Sequence, residues 1–138
     1  MKISFFIDDS SGKLDETALK SGVYEISLAV GGGELQSLYI GQSYCMAIRC
    51  SEHLFFIKTH PDHYGFPNKA KNSDNIHLEF KVLYSSDDYN LNTLKEKEKY
   101  YIEQNQPLRQ YKEGKKSDQV LKDAPDRVRK FIEESSLC

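Results

Sequence analysis

The chain has 138 residues, of which 38% are hydrophobic and 12% aromatic, and its formal net charge is -2. That length supports one buried core and is too short for two, so a single domain over residues 1–138 is expected. The charge balance excludes a protein that grips nucleic acid through overall positive charge, and no apolar run is long enough to span a bilayer.

In chain order, the amino terminus Met1-Lys2-Ile3-Ser4-Phe5-Phe6-Ile7-Asp8-Asp9 turns acidic after a few apolar residues instead of forming a signal-peptide core. A cytoplasmic protein is expected. Residues 21 to 30 then alternate, with Tyr24, Ile26, Leu28 and Val30 on one face, and end at Gly31-Gly32-Gly33-Glu34 before a second strand-like stretch, Leu35 to Gln42. This is a hairpin. The glycines read as its turn, because no Lys-Ser or Lys-Thr follows them and no helix begins there. With a turn of residues 31 to 34, Ile26 pairs with Tyr39 and Tyr24 with Gly41, which makes Tyr24 and Tyr39 diagonal neighbours on one side of the sheet.

Residues 44 to 58 read as a helix, and Thr59 to Asn75 as a long loop that holds His60, Pro61, Asp62, His63, Gly65, Pro67, Lys69 and Lys71. The third strand is the clearest, with Ile76, Leu78, Phe80, Val82 and Tyr84 set against His77, Glu79 and Lys81. A second helix follows from about Asn92 to Asn105, capped by Asn90 or Asn92 and stopped before Pro107. A last helix starts at Pro125 and buries Val128, Phe131 and Ile132. The expected architecture is α/β (α+β), a small three-stranded, mostly antiparallel sheet flanked by helices. Cys45, Cys50 and Cys138 are odd in number and lack paired CxxC spacing, so neither a disulfide framework nor a zinc cluster is implied.

Three positions carry chemistry. Leu94, Glu98, Tyr101 and Ile102 fall on one face of the second helix, which places a carboxylate on an apolar stripe; it calls for a cation, and a salt bridge to Arg49 and a metal ion serve equally well. Arg49 and His53 are four apart and share a helix face. Lys95, Lys97, Lys99, Arg109, Lys112, Lys115 and Lys116 form a basic strip interrupted by Glu96, Glu98, Glu103 and Glu113, which by itself reads as a solvated face.

Taken together, Gly22-Val23-Tyr24, Leu38-Tyr39-Ile40-Gly41, Arg49 with His53, and Glu98 ahead of Tyr101-Ile102 resemble, in order and spacing, the GIY-YIG nuclease family over residues 22 to about 110. The resemblance implies a catalytic core over residues 20–112, a C-terminal helical extension over 117–138, and a divalent-metal-dependent endonuclease that hydrolyses phosphodiester bonds of duplex or branched DNA. It implies Glu98 as the ligand of Mg2+ or Mn2+, and Tyr24, Tyr39, Arg49 and His53 as the other catalytic positions. These residue types suit the reaction. Attack on a phosphodiester builds negative charge that a metal ion and the planar fork of an arginine can offset, while a phenol of pKa about 10 is a poor base unless its surroundings assist it.

Gly22 and Gly41 allow close backbone approach beside the site, and the expected substrate contacts are Gly41, Gln42, Lys69, Lys71, Arg109 and Lys112. One position departs from the family pattern: Pro-x-x-Asn is Pro107-Leu108-Arg109-Gln110 here, which bears on the shell that supports the site. The alternative of another class is a non-catalytic module that binds DNA or a protein; an enzyme acting on RNA or nucleotides would use the same residues. Specificity would come from the 59–75 loop, the basic strip, a homodimer or a partner protein.

Overall fold

Four strands, β1 (Lys2–Phe5), β2 (Ser21–Val30), β3 (Gln36–Ser43) and β4 (Ile76–Ser86), form one mixed sheet in the order β1-β4-β2-β3. Three helices, α1 (Met46–Thr59), α2 (Leu91–Asn105) and α3 (Ser117–Ser136), complete an α+β fold. The structure is a computed structural model that describes residues 1–110 and 117–136, with the side chains of 71, 72, 117–121 and 136 outside that description. No helix among the described residues is long and apolar enough to cross a membrane.

β2 is buried along its whole length because it is central in the sheet and covered on both faces. On one face Tyr24, Ile26 and Leu28 pack with Met46, Cys50 and Ile57 of α1 and with Val128 and Ile132 of α3. On the other, Val23 and Ile40 pack with Leu94 of α2. Burying these aliphatic and aromatic side chains is worth about 1.5–3 kcal/mol each, the term that holds the helices to the sheet.

The sequence leads one to expect three strands, and β1 is the fourth. It has four residues and pairs in parallel with β4, from Lys2 with His77 to Phe5 with Phe80. Four residues whose partner lies far along the chain carry too little periodicity to be read locally. The hairpin pairs Tyr24 with Gly41 and Ile26 with Tyr39 as the turn length requires, but a bulge follows, and Ser27 and Leu28 face Ser37 and Gln36, one residue off the counted register. A second bulge at Val23/Tyr24 breaks the alternation of β4, so that Val82 packs on the α1 face and Tyr84 on the α2 face.

Helix ends follow from local chemistry. α1 stops at His60, which leaves the helical region (φ -135°, ψ 61°) directly before Pro61, as proline disfavours helical backbone in the residue it follows. Asn90 caps α2 by accepting from the Thr93 N–H at 3.1 Å, and Gln106 closes it in the left-handed region ahead of Pro107. The last helix, expected from Pro125, runs from Ser117 with Pro125 inside it. An internal proline costs a helix about 3 kcal/mol. Contact with the 59–75 loop offsets that cost: Ala124, Val128 and Ile132 are buried, and the Pro125 carbonyl and the Val128 side chain press on Gly65, where a Cβ would lie 2.8 Å from that of Val128. That loop is ordered by two 3-10 turns, Pro61–Tyr64 and Asn68–Asn72.

Candidate active site

The hairpin brings the two tyrosines together: the rings of Tyr24 and Tyr39 lie 6.2 Å apart, both facing α1. Gly41 forms the floor. A Cβ at that position would stand 2.7 Å from Cζ of Tyr24 and 2.9 Å from Cε1 of Tyr39, and would strike the Tyr24 hydroxyl, so the phenol occupies the space that the missing side chain leaves.

From α1, the inner face of Met46, Cys50, His53 and Ile57 meets this floor. His53 is 7% exposed, its Nε2 lies 2.9 Å from the Tyr24 hydroxyl, and its ring centre lies 5.0 Å from that of Tyr39. Arg49, one turn earlier, stays at the rim with its side chain 47% exposed, and its ion pair is with Glu52 at 3.0 Å rather than with Glu98.

Two further residues join from the carboxy-terminal side of α1. Nδ1 of His53 is 3.1 Å from the hydroxyl of Tyr64, and the guanidinium of Arg109 lies over the Tyr64 ring at 4.5 Å while donating to the His63 carbonyl at 3.2 Å. Arg109 was an expected contact; Tyr64 was not. Nothing periodic marks it, since it sits in a short turn where His60 and His63 attract the eye. Those two histidines are exposed.

Glu98 approaches from the other face. Leu94, Tyr101 and Ile102 seat α2 on Val23 and Ile40, which leaves Glu98 half-buried on the same stripe, as its spacing requires. β3 is an edge strand, and the charge of Glu98 reaches Tyr39 on it. Glu98 makes no hydrogen bond or ion pair among the described residues, and no three His, Cys, Asp or Glu among them gather to hold a metal.

Burial sets the protonation states. It pushes the phenols of Tyr24 and Tyr39 well above the usual tyrosine range, with the Arg49 charge working against it. It pulls His53 down to about 4, helped by Arg49 and Arg109 and opposed by Glu52, so the imidazole is neutral at neutral pH. It also raises Glu98, against the field of Lys95.

The shell around the edge strand uses Gln110. Its Oε1 accepts from the Ile40 N–H and its Nε2 donates to the Ile40 carbonyl, both at 2.6 Å. With Leu108 and Arg109 bonding to the carbonyls of Ser37 and Leu38, residues 108–110 close the free side of β3. Gln42 pairs with Val23 and stands on the α2 face. Lys69 is not part of this constellation: it lines a cavity of about 460 Å³ with Val30, Ile76 and Ile132, at the far end of β2, about 20 Å along the strand from Tyr24. Lys71 lies in the Asn68–Asn72 turn with its side chain outside the described residues, and Lys112 lies outside them altogether.

No protein-family model, curated protein or solved structure matches the chain.

Proposed function

We propose that the protein is a divalent-metal-dependent endonuclease that hydrolyses DNA phosphodiester bonds in the cytoplasm, built on the plan of the GIY-YIG nucleases. The observation that carries this reading is the meeting of Tyr24, Tyr39, Arg49 and His53 on one face of the sheet, with Glu98 at its edge.

Glu98 is the residue that would hold Mg2+ or Mn2+. A half-buried carboxylate with no partner among the described residues fits a hard cation, and one protein carboxylate suffices for Mg2+, which keeps several waters and takes substrate phosphate oxygens. Such an ion, when bound, offsets charge that builds on the phosphate. Arg49, half-exposed at the rim, offers its fork of donors to the remaining phosphate oxygens. Arg109, fixed over Tyr64, adds a second positive charge behind it. The tyrosines, protonated at neutral pH, serve this site as hydrogen-bonding groups rather than as standing phenolates.

The test is incubation of the purified protein with supercoiled plasmid and with branched, nicked and single-stranded DNAs, in Mg2+, in Mn2+ and in EDTA. Cutting that EDTA abolishes is the expected result. DNA binding without cutting in any metal would contradict it in favour of a non-catalytic binding module.

A further inference from the structure

The two tyrosines are not placed alike. Tyr24 is 1% exposed, so its O–H is shut off from solvent, and the acceptor that meets it is Nε2 of His53 at 2.9 Å. A nitrogen that accepts carries no proton, and a neutral imidazole then holds its one N–H on Nδ1. Nδ1 lies 3.1 Å from the Tyr64 oxygen, which accepts the hydrogen bond from that N–H and, being only half-buried, can turn its own O–H to solvent. His53 is thus held at both nitrogens in one tautomer.

Tyr39 is free of such a commitment. Its ring is partly exposed, its hydroxyl makes no hydrogen bond among the described residues, and it is the phenol that the charge of Glu98 reaches.

We infer that Tyr39 is the phenol that meets the attacking water, and that Tyr24 and Tyr64 are positioning residues that hold His53 between them. The inference rests on the endonuclease reading above. The groups that face His53 are Tyr24 from β2, Tyr39 from β3, Arg49 and Glu52 from its own helix, and Tyr64 and Arg109 from the segments packed beside it. Of these, Tyr24 and Tyr64 occupy its nitrogens. Arg109 over the Tyr64 ring locks that phenol in place, so the clamp extends from the sheet to residues that close the edge of β3.

The experiment combines two readouts on the wild type and on Tyr24→Phe, Tyr39→Phe and Tyr64→Phe, each of which keeps its ring. The first is the 15N spectrum of histidine-labelled protein, with the His53 signals identified through His53→Gln; the second is plasmid cleavage, with kcat and KM measured separately. We expect Nδ1 to be protonated in the wild type and in Tyr39→Phe, and the tautomer balance to shift toward protonated Nε2 in Tyr24→Phe and Tyr64→Phe. In cleavage, Tyr39→Phe lowers kcat on the order of 100-fold, while the other two lower it about tenfold or less with KM unchanged. A wild-type His53 protonated at Nε2, or a Tyr24→Phe loss equal to that of Tyr39→Phe, would overturn the assignment. If the wild type cuts nothing, the nuclease reading and the part of Tyr39 in it fall together, while the tautomer series still decides whether Tyr24 and Tyr64 hold His53.

Discussion

At Gly41 the backbone lies directly against two aromatic rings, and the space between them is too small for a methyl group. Gly41→Ala keeps the strand conformation but drives a Cβ into Tyr24, which is buried beneath α1, and into Tyr39, whose ring lies tilted against His53. Overpacking of this kind costs about 1–3 kcal/mol. Chemical denaturation is expected to show that loss, together with lower cleavage, because the displaced Tyr24 releases His53. Unchanged stability would mean that the rings move aside freely. Lys69 differs: both residues are candidates from sequence, but Gly41 is tied by strand register to Tyr24, whereas Lys69 sits in a loop whose path no local pattern specifies.

Between elements, the weakest point is the free side of β3, which carries Tyr39 and would otherwise present unpaired backbone groups. Gln110 covers it by satisfying both the N–H and the carbonyl of Ile40. Gln110→Ala is expected to cost about 1–3 kcal/mol, since it strands two strand groups, and to lower cleavage through Tyr39; an unaltered melting curve would show that water replaces the side chain. How far the elements were legible follows from what each depends on. The hairpin register near Tyr24 was readable because a turn of fixed length sets it, and α2 was readable because Asn90 and Pro107 punctuate it. Three things were not. β1 pairs with a strand more than seventy residues away, the start of α3 was hidden by Pro125, and Tyr64 faces the site only because the 59–75 loop folds back against α3. Each is decided by tertiary contact rather than by local pattern.

For the molecule as a whole, His53 links the site to stability. Its pKa is about 4 in the folded protein, pulled down first by burial and then by Arg49 and Arg109, against 6.5 for an unperturbed histidine. Between those values the unfolded chain holds a proton that the folded chain does not, so this contribution is complete above about pH 6.5 and is lost as the pH falls toward 4. Moving from pH 7 to pH 5 should remove about 2 kcal/mol through this group. Urea melts at the two pH values should therefore differ more for the wild type than for His53→Gln, and equal differences would show that His53 titrates normally. With a net charge of -2, the whole surface contributes little general attraction to DNA, so the proposed function rests on the local group of Arg49, Arg109 and the metal that Glu98 would hold. The most direct measurement is plasmid cleavage in Mg2+ by the wild type beside Glu98→Ala, with fold and DNA binding measured on both. The variant is expected to fold and bind DNA as the wild type does but to have lost cleavage. Cleavage at the wild-type rate by Glu98→Ala would rule out Glu98 as the metal-holding residue of a nuclease.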